Sequence, residues 1–248
     1  MKAQRAFRRE GYTLGERVKT AENGVFEAFE AATASASPSP SKHNHNSAPS
    51  SPRRKTARLV KRSMDVALAV PLAVFLTPIF VLLAIAIKLD SPGPVLFRQT
   101  RHGRRMRPFT IFKFRTLRHK VADPHHRYRM LAQDSRITRV GGFLRRTSLD
   151  ELPQLLNVIG SSMSMVGPRP LVEWESRASL RTHPERFEVK PGITGLCQTR
   201  FRNWGETDIR WDCDVEYVRN WSPLLDLKIL LKTPSCVLRG EKIYPSSR

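Results

Sequence analysis

Cysteine is scarce in this sequence of 248 residues: Cys197, Cys213 and Cys236 stand far apart, and no pair has the Cys-x-x-Cys spacing of a redox couple or metal knuckle. That excludes a disulfide-built scaffold and points to reduced thiols in a cytosolic setting. Histidine supplies no metal motif either. His43, His45, His102, His119, His125, His126 and His183 include no His-Glu-x-x-His or comparable spacing, so a zinc centre is not expected. No long apolar run precedes residue 65. A cleaved secretory signal, which occupies the very start of a chain, is therefore not expected, and the mature chain should be the whole chain. There is no internal repeat.

Acidic residues are also in short supply. Against 43 Lys and Arg there are 22 Asp and Glu, a formal charge of +21. Such an excess calls for an acidic partner, and nucleic acid, anionic lipid and phosphorylated substrates all qualify. The aromatic residues are not interleaved with the basic ones as a base-stacking platform requires, and no nucleic-acid module is recognisable. A membrane-tethered nucleic-acid binder is the alternative reading; the main one expects no nucleic acid.

What is present opens with a low-complexity stretch. Residues 31–58 are built from Ala, Ser, Pro, Asn and His and end in Arg53, Arg54, Lys55 and Arg58, a composition that predicts a disordered linker. Before it, Val25, Phe26 and Phe29 have the spacing of a short, weak helix over 22–32. Residues 1–57 are thus expected to be a disordered or weakly structured extension.

Residues 66–87 carry no charge, and a straight helix of that length would reach about 33 Å, enough to cross a bilayer. Two features predict a re-entrant path instead. Pro71 and Pro78 favour kinks, and the Thr77 hydroxyl can bond back one turn. Basic residues flank both ends, Arg58, Lys61 and Arg62 before and Lys88, Arg98 and Arg101 after, and both flanks prefer the cytoplasmic side. Segment 58–90 is expected to dip in, break at Thr77-Pro78 and return. An ordinary single span is the alternative.

Past Ser91-Pro92-Gly93-Pro94, the runs at 95–97 and 109–114 predict a hairpin across the basic turn 101–107. The rest reads as helices, best at 148–159, 171–181 and 224–238, with amphipathic faces suited to a bilayer surface. The expected class is α+β, mainly helical.

Candidate chemistry centres on Asp150 and Glu151, which follow Arg145 and Arg146. Ser148 with Glu151 fits a capping box, so the acids could serve only to satisfy helix amides. Their cationic company supports a second role. A carboxylate kept ionised by arginine can attack phosphorus or hold Mg²⁺. Gly167-Pro168-Arg169-Pro170 sets one arginine in a proline-stiffened loop, either a phosphate clamp or a plain rigid turn. The tight loop Pro191-Gly192-Ile193-Thr194-Gly195 could approach a nucleotide or be a turn. Asp208, Asp212, Asp214 and Glu216 read as a solvated face, Asp214 excepted.

Taken in order, these elements resemble the bacterial sugar transferase family, the monotopic polyprenyl-phosphate phosphoglycosyl transferases. The likeness runs over 61–238 and rests on Lys61-Arg62-Ser63-Met64-Asp65, the bent apolar run, Lys113-Phe114-Arg115-Thr116, Thr147 through Leu155, Val166 through Leu171, and Pro191 through Gly195. Thr77-Pro78 stands where the family usually has Ser-Pro. The resemblance implies a re-entrant membrane helix at the inner membrane and a catalytic domain, 91–248, on its cytoplasmic face. It also implies Mg²⁺ dependence and an Asp-Glu dyad at Asp150 and Glu151, which would also hold the metal. The implied reaction moves a hexose 1-phosphate from a UDP-sugar to undecaprenyl phosphate. Asp150 would be the nucleophile, Arg169 and Arg145 would hold phosphate, Lys113 and Arg115 would meet the lipid phosphate, and Asp214 would support the site. A non-catalytic scaffold of glycan assembly is a further alternative.

Overall fold

The long apolar segment folds as two helices, α1 (Pro52–Phe75) and α2 (Thr77–Asp90), bent by 58° at their junction. The computed structural model describes residues 52–118, 135–201 and 207–238. The expected helix at 22–32 and most of the expected linker lie outside the described residues, although α1 begins at Pro52, inside that stretch. The break has a local cause. Pro78 offers no N–H to the carbonyl four residues back, and the Thr77 hydroxyl donates to Ala73 O at 2.9 Å. Pro71 also favours a kink, yet it is carried inside α1. Among the described residues no single helix is long and apolar enough to cross a membrane; the bent pair passes that test together. Its apolar side chains are strongly exposed, Phe75 at 77% and Leu89 at 83%, far more apolar surface than a water-facing helix pair carries.

The first half of α1 is bolted to the rest by charged residues. Asp65, buried, accepts from Ser164 Oγ at 2.8 Å and from the Met165 N–H at 2.9 Å. Arg62 donates to the carbonyls of Val158 and Ile159. Lys61 Nζ lies 2.6 Å from Asp226 Oδ2, and the same buried carboxylate accepts from Tyr217 OH at 2.8 Å and Trp221 Nε1 at 3.1 Å. Asp226→Leu strips three donors of their shared acceptor and should cost about 3 kcal/mol or more. A drop in thermal midpoint checks this, and an unchanged midpoint refutes it.

A hairpin follows α2. Strands β1 (Leu96–His102) and β2 (Pro108–Phe114) pair antiparallel from Leu96↔Phe114 to His102↔Pro108, as the alternation anticipated. The free edge of β2 is satisfied by one buried side chain: Asn157 accepts the Phe112 N–H at 3.0 Å and donates to Thr110 O at 2.7 Å. Next come α3 (Arg139–Thr147) and a 3-10 turn, Leu149–Gln154. The short α4 (Leu155–Ile159) and strand β3 (Ser164–Val166) complete this stretch. The helix expected at 148–159 is thus split. Ser148 ends α3 in the left-handed region at φ 58°, and Pro153 withholds an amide from the turn.

The helix expected at 171–181 appears as α5 (Glu173–Thr182). Strand β4 (Gly192–Thr194) pairs parallel to β3, a contact the sequence did not announce. Helices α6 (Leu196–Phe201), α7 (Thr207–Arg219) and α8 (Pro223–Leu238) complete the described chain. The result is mostly helical with a small antiparallel hairpin. One core joins Ala69 of α1, Ile111 of β2, Leu155 and Val158 of α4, Val166 of β3, Tyr217 of α7 and Ile229 of α8. A second, of Ile87, Phe114 and Leu144, fastens α2 to β2 and α3.

Candidate active site

The 3-10 turn Leu149–Gln154 lies against β2 and at the end of α3. Helix α3 owes its position to its start, where Thr138 Oγ1 accepts the Gly141 N–H at 2.9 Å and Asp90 Oδ2 accepts that of Val140 at 2.9 Å. Gly141 is required there, since a Cβ would come within 2.2 Å of Thr116 O. So placed, Arg145 donates through Nε to Thr116 Oγ1 at 2.8 Å, and the chain turns to present Asp150 and Glu151. The capping box does not form: Ser148 makes no side-chain cap. Its left-handed backbone closes α3 instead, and Glu151 is free to reach elsewhere.

Glu151 Oε1 is shared by two cations, Lys113 Nζ at 2.7 Å and an Arg169 nitrogen at 3.1 Å. Burial works to raise its carboxyl, but Lys113 and Arg169 outweigh it and hold the group down at about 2. Asp150 differs. Among the described residues no hydrogen bond reaches its carboxylate, and burial, aided by the Glu151 charge, lifts it to about 6 against the pull of Lys113, Arg145 and Arg169. One acid is fixed as a permanent anion that organises cations. Its neighbour is a less committed carboxylate, ionised at neutral pH but basic enough to act as base or nucleophile.

The Pro-Arg-Pro loop reaches Glu151 through Arg169, whose side chain is 31% exposed. Asp214, expected to support the site, meets it indirectly. It pairs at 2.7 Å with Arg186, and the same Arg186 nitrogen donates to the main-chain carbonyl of Arg169 at 2.9 Å. Arg186 was not singled out from the sequence; its position just after His183-Pro184-Glu185 carries no motif that would have flagged it.

Two expectations are corrected. Arg115 does not face a phosphate: it is buried, and its guanidinium donates to the carbonyls of Ile87, Ser91 and Pro92 and to Ser91 Oγ. Those carbonyls lie in the last turn of α2 and just past it, where the Ser91 N–H also donates to Ile87 O at 3.3 Å, and the cation suits that negative helix end. Pro191, Gly192, Thr194 and Gly195 form no open nucleotide cradle. Gly192 and Thr194 belong to β4, the Gly192 N–H donates to Pro168 O at 2.9 Å, and Thr194 Oγ1 bonds Thr233 Oγ1 at 2.8 Å. Gly192 and Gly167 are so close that a Cβ on the former would stand 2.1 Å from the Gly167 nitrogen. The loop is buried backing for Arg169.

A second cationic feature lies at the hairpin tip. Burial and the charges of Arg58, Arg105 and Arg107 hold Arg104 below its ordinary value. Lys190 is lowered likewise, by burial and then by Arg62.

Among the described residues no three His, Cys, Asp or Glu come together as a metal cage. The hard-oxygen pair Asp150 and Glu151 nevertheless fits Mg²⁺, which is commonly held by one or two carboxylates plus substrate phosphate and water.

Half-buried carboxylates ringed by Lys113, Arg145 and Arg169, on a turn at the end of the helix that packs against the bent apolar pair, define a site for an anionic substrate. The model of the bacterial sugar transferase family matches residues 56–240, and the chain belongs to that family. It is 44% identical over 187 residues to the UDP-glucose:undecaprenyl-phosphate glucose-1-phosphate transferase of Escherichia coli, covering 71% of this chain and 39% of the relative. The protein of the same name from Caulobacter vibrioides is 41% identical over 209 residues, 79% of this chain and 76% of its own. The undecaprenyl-phosphate galactose phosphotransferase of Salmonella typhimurium is 37% identical over 205 residues, 77% and 43%. The chain therefore spans about two fifths of the length of the Escherichia coli and Salmonella proteins. The nucleic-acid and scaffold readings find no support in these relatives.

Proposed function

We propose that this chain transfers a hexose 1-phosphate from a UDP-sugar to undecaprenyl phosphate, releasing UMP, at the cytoplasmic face of the inner membrane. The reaction would be the first membrane step of an exopolysaccharide, capsule or O-antigen. The observation that carries the reading is the split pair: Glu151 neutralised by Lys113 and Arg169, with Asp150 beside it and unbonded among the described residues. The names of the relatives support the substrates.

In this mechanism an Asp150 oxygen attacks the sugar-linked phosphorus, the bond from that phosphorus to the UMP oxygen breaks, and a phosphosugar-aspartyl intermediate forms. An oxygen of the lipid phosphate then attacks the same phosphorus and frees the carboxylate. A covalent stop suits a water-soluble donor and a lipid-embedded acceptor that use one site in turn. Arg169 and Arg145 hold phosphate oxygens, and Lys113 faces the lipid phosphate while keeping Glu151 ionised. Asp150 and Glu151 would hold Mg²⁺, which supplies charge neutralisation as two anions meet.

The bent pair α1–α2 is read as the re-entrant membrane element, entering and leaving on the same side. Its exposed apolar surface and the 58° break support this. Helix α8, with Leu224, Leu227 and Leu231 exposed at helical spacing, is read as resting on the bilayer. The cations Arg58, Arg104, Arg105 and Arg107 would meet anionic lipid, each contributing about 1 kcal/mol near the surface. The full chain should accordingly bind anionic vesicles more strongly than neutral ones, by a margin that shrinks as salt rises; flotation that ignores both lipid charge and salt would count against the lipid partner.

The direct test is UMP release from a panel of UDP-sugars by membranes carrying the full chain, with undecaprenyl phosphate added. UDP-glucose and UDP-galactose are the first candidates. No acceptor-dependent UMP from any sugar would sink the proposal.

A further inference from the structure

The loop that carries Arg169 cannot hold itself. Pro168 and Pro170 contribute no N–H, and every other main-chain anchor comes from outside. The Gly167 N–H donates to Thr194 O at 2.9 Å, Pro168 O accepts from the Gly192 N–H at 2.9 Å, and Pro170 O accepts from Arg101 at 3.3 Å. The carbonyl of Arg169 itself accepts from Arg186 at 2.9 Å.

That last anchor is unlike the rest, because it is a buried charge. The side chains of Arg186 and Asp214 are 2% and 5% exposed and 2.7 Å apart. Arg186 also donates to Ser179 Oγ at 3.3 Å, and its guanidinium lies 5.5 Å from the Phe187 ring centre. A buried ion pair is a poor way to gain stability, since well-packed apolar residues of similar volume usually do as well or better. What the pair supplies that apolar residues cannot is a directed donor, aimed at one carbonyl.

We propose that Arg186, oriented by Asp214, is a positioning residue for Arg169, fixing the main chain from which the Arg169 guanidinium reaches Glu151 and the transferred phosphate. This rests on the phosphate-holding role of Arg169 in the function above. Arg186 touches no reacting atom. Its effect on turnover passes through the backbone of the residue it holds, and a displacement on the order of 1 Å at such a clamp can cost about a hundredfold in rate.

The test uses the full chain in membranes, with the UDP-sugar that gives most UMP release in the panel. Arg186→Lys keeps a cation for Asp214 but loses the rigid planar group whose one nitrogen is held between Asp214 and the Arg169 carbonyl while the other meets Ser179; UMP release should fall about tenfold or more. In a chain already carrying Arg169→Ala, the same change should cost less than about twofold further, because coupled residues are not additive. Arg186→Met with Asp214→Leu removes both buried charges together, should keep the thermal midpoint, and should still lose about tenfold. Native activity in that folded double variant, or an equal cost of Arg186→Lys with and without Arg169, would overturn the proposal. If Arg169→Ala alone left UMP release intact, the role of Arg169 in the proposed function would fall first, and this inference with it.

Discussion

Asp150→Asn should lower UMP release by about a thousandfold or more and abolish any trapped sugar-phosphate adduct. The substitution keeps the shape of the side chain and removes the one property the mechanism needs, an anionic oxygen able to bond to phosphorus. The fold should not suffer. Burial penalises the Asp150 charge in the native state, so a neutral amide relieves that penalty, and no hydrogen bond among the described residues is lost. A folded, inactive variant is therefore expected, with a thermal midpoint at or above that of the parent. An Asn variant that still turns over would refute the nucleophile assignment.

Glu151→Gln should slow transfer by about a hundredfold, because Lys113 and Arg169 lose the oxygen that holds both in place. Its pH profile is the sharper readout. With Asp150 lifted to about 6, activity of the parent should rise through pH 6 as that carboxyl ionises and level off above it. The Glu151 charge is one of the causes of the lift, and removing it leaves burial alone to oppose Lys113, Arg145 and Arg169. The acidic limb should then move to lower pH. Lys113→Met removes the largest opposing pull and should move the limb the other way, above pH 6. Asp214 also sits at about 6, lifted by burial against the pull of Arg186, but neither change touches it. Opposite shifts would thus assign the limb to Asp150, and a limb that ignores both substitutions would assign it elsewhere.

Much of the architecture was legible because it depends on local chemistry. The hairpin follows from alternation at 109–114 and turn residues on either side, whereas its register was left to the fold, which pairs Arg101 and His102 within β1 rather than in the turn expected at 101–107. The break at Leu76 follows from a missing proline amide and a threonine hydroxyl one residue earlier, both readable in order along the chain. The 148–159 segment departs from its local signals for a related reason. Capping signals at Ser148 and Glu151 are common to many helix starts, and nothing local says that Glu151 will find two cations from β2 and the Pro-Arg-Pro loop.

The site residues divide along the same line. Asp150, Glu151, Arg169 and Lys113 lie in recognisable motifs, and the fold brings them together around one carboxylate oxygen and its neighbour. Arg115, two residues from Lys113, points into the interior and holds the end of α2. Residues this close in an extended segment differ in the environment that receives them, and only packing decides which environment that is. The Gly-Ile-Thr-Gly segment looked like a ligand loop because glycine permits close approach; the close approach is real, but the partner is Gly167 rather than a nucleotide.

By itself the order of residues determined the family, the apolar segment with its bend, the hairpin, and the acids and cations from which the site is drawn. These depend on near neighbours and on motifs that stay in register along the chain. Tertiary structure alone decided which carboxylate is locked as an anion, and that Arg115 and the 191–195 loop serve as buried supports. It also decided that Arg186 and Asp214 reach the main chain of Arg169. Such assignments depend on charges and burial brought together from distant parts of the chain, and no local pattern encodes the distance between them.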